Sequence, residues 1–146
     1  MTGKPYQIVI DTNILVAGLR SRRGAAYKLL TMLNDKRWQV NISTTLLMEY
    51  EEVLKRELEN LFVLNEQDID DFLDGICHIA NHQDVFYIWR PMAHDPDDDF
   101  LIDLAVAAQA DFLITYNPRD MRNIERFGIE MVSPKEFLQK MGVISK

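Results

Sequence analysis

Apolar and polar positions along the chain follow two periods, one typical of buried strands and the other of amphipathic helices. The run YQIVI at 6–10 is apolar with almost no break, which predicts a strand buried on both faces of a parallel sheet. At 44–58 the apolar side chains instead recur every three or four positions, which predicts a helix capped by Thr44 or Thr45. Its apolar stripe consists of Leu46, Leu47, Tyr50, Val53 and Leu54.

Strands and helices alternate along the rest of the chain. Further strands are predicted at 38–43, 84–89, 111–115 and 129–133. Further helices are predicted at 24–33, 66–82, 95–110, 118–126 and 134–141. This alternation is typical of an α/β fold with a parallel sheet. Ligand sites of such sheets lie at the carboxyl ends of the strands, so the residues that follow each strand are the first candidates for function.

Composition narrows the settings in which such a fold would work. The 146 residues suffice for one domain, 1–146, with a sizeable core. No apolar run approaches the roughly 20 residues that span a bilayer, and the first residues lack a signal-peptide pattern, so we expect a cytoplasmic protein without a membrane segment. Cys77 is the only cysteine, which excludes an internal disulfide and a four-cysteine zinc site, and we expect it to be a small buried hydrophobe.

The distribution of charge argues against indiscriminate binding of nucleic acid. The formal net charge is −7, whereas such binding requires Lys and Arg side chains that neutralise phosphates. Two local basic segments are candidates for contacts with phosphate, although most such segments are solvated faces. The first contains Arg20, Arg22, Arg23 and Lys28, and the second contains Arg119, Arg122 and Arg126.

Acidic residues provide the strongest chemical signal. Asp11 interrupts the apolar run QIVIDTNILV directly after the first strand, where a carboxylate is costly unless it is paired or binds a cation. Asp11 and Asn13 could also cap the following helix. On the helix at 44–58, Glu49 and Glu51 both flank the apolar stripe, so its period does not choose between them.

The segment DPDDD at 95–99 carries more carboxylates than a helix cap needs. Asp99 and Asp103 repeat the same charge at i and i+4, which costs about a few tenths of a kcal/mol unless a cation relieves it. Hard oxygen ligands favour Mg²⁺ or Mn²⁺ over zinc. Such an ion activates water and neutralises a phosphoryl oxygen, so a phosphodiester is the natural substrate. The chain has no phosphate-binding glycine loop, dinucleotide fingerprint or serine nucleophile elbow.

Four stretches of the sequence together resemble a PIN domain. They are IVIDTNILVAGL from residue 8, TTLLMEYEEVL from residue 44, DPDDDFLIDLAVAAQADFLITYN from residue 95 and VSPKEFL from residue 132. The resemblance extends in order over essentially the whole chain, and it points to the bacterial and archaeal toxin components of toxin–antitoxin pairs, the VapC-like ribonucleases. It implies a three-layer α/β/α sandwich around a mostly parallel sheet of about five strands, and a metal-dependent endoribonuclease.

The resemblance also implies which acids surround the Mg²⁺ or Mn²⁺ ion. The first is Asp11 and the second is Glu49. The third is Asp98 or its neighbour Asp99, because the D-P-x-D pattern favours Asp98 whereas counting back from the fourth strand favours Asp99. Asp11 and Asp98 are expected to ligate one ion.

Less acidic positions complete the site that the resemblance implies. Asn117 stands at the fourth acidic position, which removes one charge and puts a second metal ion in question. Asp103 is the candidate to compensate for this charge, and Asn13 and Thr115 are candidates for close supporting groups. Glu49 is expected to hold the ion through a water molecule or to orient the attacking water.

The resemblance further implies RNA as the substrate, a cognate antitoxin that inserts a basic side chain into the acidic pocket, and a homodimer. The basic segment at 20–28 is expected to position the RNA backbone. One alternative is a catalytically silent PIN fold that binds RNA or a protein. Another is a phosphatase of the haloacid-dehalogenase type, but that class needs a second acid two residues after the first, where this chain has Asn13.

Overall fold

A computed structural model of the chain describes residues 3–85, 99–117 and 124–145. The strands are β1 (Tyr6–Ile10), β2 (Trp38–Ile42), β3 (Asn81–His82), β4 (Phe112–Ile114) and β5 (Glu130–Val132). The helices are α1 (Thr12–Arg20), α2 (Ala25–Leu30), α3 (Thr44–Arg56), α4 (Glu66–Ile79), α5 (Asp99–Ala107) and α6 (Pro134–Lys140). Short 3₁₀ turns occur at Leu58–Asn60 and Ile124–Phe127.

The five strands form one parallel sheet in the order β3-β2-β1-β4-β5. Central strand β1 pairs with β2 on one side and with β4 on the other, so Ile8 lies between Val40 and Phe112. The chain first builds the sheet towards β3 and then returns to add β4 beside β1. The boundary between β1 and β4 is therefore the topological switch point, where α/β sheets open a crevice at the carboxyl ends of their strands.

Helices cover both faces of the sheet. Successive side chains of a strand point to opposite faces, and β2 shows this directly. The ring of Trp38 packs against Phe137 of α6 at a centroid distance of 5.1 Å. The amide of the next residue, Gln39, donates to the carbonyl of Ile79 at the end of α4, at 2.5 Å. Helices α6 and α4 thus lie on opposite faces, which confirms the expected α/β/α sandwich with its parallel sheet.

Helix α1 is an element that the sequence pattern did not delimit. The first helix was predicted at 24–33, whereas the structure has α1 immediately after β1 and a short α2 that ends at Leu30. Most residues of α1 are buried, so the segment shows little of the amphipathic period on which the prediction depends. The packing of α1 on α2 is tight at Gly18, because a Cβ atom added there would collide with the side chain of Leu30.

The third strand also differs from its predicted position. Strand β3 is Asn81–His82, which was predicted as the end of the helix at 66–82, but α4 ends at Ile79. Asn81 pairs with Asn41 of β2, and the side-chain amide of Gln83 donates to the side-chain oxygen Oδ1 of Asn41 at 3.0 Å. Polar pairing thus favours strand over helix in this segment. The predicted strand at 84–89 falls mostly outside the described residues.

Two smaller differences concern predicted helices. Ser43 caps α3, in place of Thr44 or Thr45, because its hydroxyl accepts the N–H of Leu46 at 3.2 Å. Of the helix predicted at 118–126, the described part shows only the beginning of the turn Ile124–Phe127. Within the described ranges, no helix is both long enough and apolar enough to cross a membrane.

Candidate acidic site at the carboxyl edge of the sheet

Asp11 lies at the switch point, between the end of β1 and the start of α1. Its backbone N–H donates to the carbonyl of Ile114 in β4 at 3.0 Å, which fixes the end of β1 against its neighbour. The residue occupies the N-cap position of α1, yet its side chain makes no capping hydrogen bond. The carboxylate instead accepts the hydroxyl of Thr115, which follows β4, at 2.9 Å. Asp11 is therefore oriented towards the crevice by a neighbouring strand.

The surroundings of Asp11 do not fully compensate its negative charge. Burial raises the pKa of the Asp11 carboxyl above its ordinary value, and this is the largest effect on it. The hydroxyl of Thr115 and, to a smaller extent, the backbone amides of Thr12 and Asn13 oppose the rise by favouring the charged form. A carboxylate in this position would be stabilised further by a cation.

Glu49, on the second turn of α3, is an acid whose carboxylate reaches the residue after Asp11. The hydroxyl of Thr12 donates to its Oε2 atom, which links α3 to the start of α1. Glu51, which the apolar period could not distinguish from Glu49, is exposed and forms an ion pair with Lys55 at 2.8 Å. The structure therefore separates the two glutamates and directs only Glu49 towards the crevice.

Tyr50 follows Glu49 in α3 and contacts the residue that precedes Asp11. It is fully buried, and its hydroxyl donates to the carbonyl of Ile10 at 2.5 Å. The pKa of Tyr50 lies well above its ordinary value, first because of burial and then because of the negative charges of Asp11 and Glu49. The charges of both carboxylates therefore reach one buried hydroxyl.

The remaining acidic candidates come from the segment at 95–99 and from α5. Asp98 lies outside the described residues, and of Asp99 only the backbone, at the start of α5, is described. Asp103 is buried, with 8 % of its surface exposed, on a helix that packs against β1 and α3. Helix α5 thus contacts the two elements next to which Asp11 and Glu49 lie.

The supporting candidates differ in their placement. Thr115 is buried and holds Asp11, while its hydroxyl oxygen also accepts the backbone N–H of Asn117 at 3.1 Å. The side chains of Asn117 and Asn13 are exposed beside the crevice. A neutral residue, Asn117, therefore follows the threonine that holds Asp11, at the position where the resemblance implies a further acid.

The oxygen atoms that converge here are of the kind that Mg²⁺ or Mn²⁺ binds. Two carboxylates, hydroxyls and an amide are hard donors, and the described residues bring no cysteine or histidine to them. Within residues 3–85, 99–117 and 124–145, no three acidic, histidine or cysteine side chains form a group that could hold a metal. Asp11 and Glu49 alone would supply part of a coordination shell.

The first basic segment lies away from the two carboxylates. Arg20 is the last residue of α1, about 12 Å from its first residue along the helix axis. Arg20 forms an ion pair with Glu57 at 3.5 Å, and Arg22 stacks on the ring of Phe62 at 4.2 Å from its centroid. Arg23 and Lys28 are exposed. In the second basic segment, Arg119 and Arg122 lie outside the described residues, and the exposed Arg126 stacks on Phe127.

Thr12 and Tyr50 are parts of the site that the sequence analysis did not assign to it. Tyr50 was placed only in the apolar stripe of α3, and Thr12 was not considered. A weak signal exists for Thr12, since a hydroxyl directly after Asp11 in a strongly apolar segment must find a partner if it is buried. Its partner, Glu49, is 37 residues away, and only the packing of α1 on α3 identifies it.

Comparisons with known proteins agree with this architecture. The PIN domain family matches residues 7–119. A solved chain from the crystal structure of VapBC2 from Rickettsia felis bound to a DNA fragment from their promoter superposes with a TM-score of 0.57 at 17% sequence identity, and the match covers 86% of this chain and 98% of that chain. A search of curated proteins finds no significant match. The match over most of its length shows that the chain belongs to the PIN domain family.

Proposed function

We propose that this protein is a metal-dependent endoribonuclease that cleaves RNA phosphodiester bonds, with residues 1–146 acting as one domain. One observation carries the proposal. The half-buried carboxylate of Asp11 makes no capping hydrogen bond but is held by Thr115 at the switch point of the sheet. The hydroxyl of Thr12, the next residue, holds a second carboxylate, that of Glu49. The start of a helix does not require a second carboxylate beside the first, whereas binding of a cation favours both.

The ion would be Mg²⁺ or Mn²⁺. Asp11, Glu49 and either Asp98 or Asp99 would hold it, and the buried Asp103 of α5 is the candidate to compensate for the neutral Asn117. When bound, such an ion activates a water molecule and neutralises charge on the phosphoryl oxygen.

The chain's own residues orient the reacting groups. Thr115 keeps the Asp11 carboxylate directed into the crevice, and Asn13 and Asn117 offer amides at its rim. Glu49 is the candidate to accept the proton of the attacking water. It lies on α3, and Thr12 of α1 fixes its carboxylate next to Asp11 in the chain. Catalysis would then depend mainly on positioning and on compensation of charge.

RNA would reach the acidic crevice with help from basic residues of the segment at 20–28, which lies away from the two carboxylates. Arg23 and Lys28 are the best candidates for phosphate contacts, since Arg20 and Arg22 already have partners in Glu57 and Phe62. Because they are separated from Asp11, we expect them to contact phosphates away from the one that is cleaved. Loss of such contacts would weaken binding in a salt-dependent way.

An antitoxin is the protein partner that we propose. The structural neighbour comes from a complex named VapBC2, and the present chain superposes on most of one of its chains. An acidic crevice suits a partner that inserts a basic side chain, because opposite charges across an interface favour association. We further propose that the chain acts as the toxin of such a pair and forms a homodimer.

Cleavage of a mixed RNA pool tests the proposal. The protein is incubated with EDTA, Mg²⁺ or Mn²⁺, beside Asp11→Asn and Glu49→Gln variants and the matched control Glu51→Gln, whose exposed carboxylate lies on the same helix. We expect cleavage only with a metal ion. The cleavage rate should fall at least about 100-fold in the first two variants. Groups that only orient a metal ligand typically contribute about 10–100-fold. Glu51→Gln should remain as active as the wild type.

A catalytically silent PIN fold that binds RNA or a protein is the second candidate function. The observation in its favour is the neutral, exposed Asn117 beside Asp11, where the family expectation is an acid. Folded wild-type protein that leaves the RNA pool intact with both ions would refute the nuclease and support this candidate.

A further inference from the structure

Thr12 carries a buried hydroxyl with a single recognised partner. It is the first residue of α1, has 3 % of its surface exposed, and donates from Oγ1 to Oε2 of Glu49. The first position of a helix does not require a hydroxyl, because capping is the task of the residue before it. A buried hydroxyl is costly without a hydrogen bond. The local structure of α1 therefore does not explain why a hydroxyl stands at this buried position, whereas the hydrogen bond to Glu49 does.

This hydrogen bond connects the two carboxylates of the site through one peptide unit. Asp11 and Thr12 are adjacent in the chain, and Glu49 reaches them from a different helix, 37 residues away. A glutamate side chain has several rotatable bonds, so its carboxylate samples many positions unless it is held. Bonding one of its oxygens to Thr12 sets where the Glu49 carboxylate lies relative to that of Asp11.

We propose that Thr12 is a positioning residue for RNA cleavage, because its hydroxyl holds the Glu49 carboxylate beside the Asp11 carboxylate. The inference rests on the proposed nuclease function and adds a residue to that site. Each of the two acids then has a threonine that holds it, because Thr115 donates to Asp11 and Thr12 donates to Glu49. Thr12 acts only through Glu49.

Four variants separate this role from a purely structural one. Thr12→Val and Thr12→Ala remove the hydroxyl with and without the bulk of the side chain, and Thr12→Ser keeps the hydroxyl. Thr44→Val is the matched control, because Thr44 is the first residue of α3 as Thr12 is of α1, but it is exposed. Circular dichroism establishes that each variant is folded.

Two readouts are measured on the full chain. The first is the Kd for Mn²⁺ in the absence of RNA, by titration calorimetry, and the second is kcat and KM for a single-stranded RNA. Thr12→Val and Thr12→Ala should weaken Mn²⁺ binding or lower kcat by about 10–100-fold, the range typical of groups that orient metal ligands, with KM nearly unchanged. Thr12→Ser and Thr44→Val should stay within about threefold of the wild type. In a Glu49→Ala background, Thr12→Val should change the Mn²⁺ Kd by less than about twofold.

The possible outcomes are distinct. Wild-type protein that neither cleaves RNA nor binds Mn²⁺ would overturn the proposed function, and this inference with it. An active wild type with unimpaired Thr12→Val and Thr12→Ala variants would overturn the inference alone. So would equal losses in Thr12→Ser or Thr44→Val, an undiminished effect of Thr12→Val in the Glu49→Ala background, or unfolding of both variants that lack the hydroxyl.

Discussion

Replacing Tyr50 with phenylalanine removes one hydroxyl from beneath the acidic site and leaves the aromatic ring in place. Tyr50 has 1 % of its surface exposed, and its hydroxyl donates to the carbonyl of Ile10 at 2.5 Å. Ile10 is the last residue of β1 and directly precedes Asp11. The variant therefore removes a hydrogen bond at the point where the strand delivers the acid to the crevice.

The size of the effect follows from this single contact. A hydrogen bond contributes about 0.5–1.5 kcal/mol net, and a buried carbonyl that loses its donor costs about 1–3 kcal/mol. The desolvation of the hydroxyl, which the phenylalanine avoids, offsets part of this loss. We expect the free energy of unfolding to fall by about 1–2 kcal/mol. For a chain of this length, the corresponding fall in Tm is about 3–8 °C.

Urea unfolding followed by circular dichroism measures the change, with Tyr27→Phe as the control. Tyr27 is half-buried against Phe62, and its hydroxyl has no hydrogen-bond partner among the described residues. We expect Tyr27→Phe to stay within about 0.5 kcal/mol of the wild type, and the slope m to be unchanged in both variants. A loss in Tyr50→Phe no larger than that in Tyr27→Phe would show that the bond to Ile10 does not stabilise the end of β1.

Three further predictions concern packing, pH and metal binding. Gly18→Ala should lower the free energy of unfolding by about 1–3 kcal/mol in urea, because its Cβ atom would collide with Leu30, and an unchanged value would show that α2 yields freely. Arg37 lowers the pKa of Asp35 to about 2, so Asp35 stabilises the fold above its unfolded pKa of 3.8 and loses this effect as the pH falls towards 2. Asp35→Asn should accordingly cost at most about 1 kcal/mol at pH 6 and almost nothing near pH 2, measured by urea titrations at both values. Mn²⁺ at about 100 times its Kd should stabilise the wild type by about 2.7 kcal/mol in thermal scans, and Asp11→Asn should abolish this gain.

The sequence predicted well those elements whose hydrophobic period is unambiguous. The strand at 6–10 is confirmed as β1, and the helix at 44–58 is confirmed as α3 with an earlier end at Arg56. The bounds of helix α1 could not be predicted, because the helix is buried on most sides and so lacks a polar face. Strand β3 escaped because its two polar residues, Asn81 and His82, are exposed and carry no apolar pattern.

In the candidate site, too, residues with a clear local signal could be predicted and residues identified by tertiary packing could not. Asp11 was conspicuous in the sequence because a carboxylate in an apolar run is costly. The hydrophobic period of α3 could not distinguish Glu49 from Glu51, because at about 100° per residue both flank the same apolar stripe. In the structure, the packing of α1 on α3 separates them. The catalytic roles of Asp11, Glu49 and Asp98 or Asp99 remain predictions.

The pairing of β1 with β4 determines when, during synthesis, the parts of the acidic site come together. Strands β1 and β2 and helix α3 lie within the first 56 residues, so Asp11, Thr12 and Glu49 can meet early during synthesis. The Thr115 hydroxyl that orients Asp11 is 104 residues further along the chain, and such long-range pairing forms late because a large loop must close first. A ribosome-bound fragment that ends before β4 would hold both acids but lack the group that orients the first one. For a nuclease made beside the RNA that encodes it, this order would delay full activity until most of the chain has been synthesised.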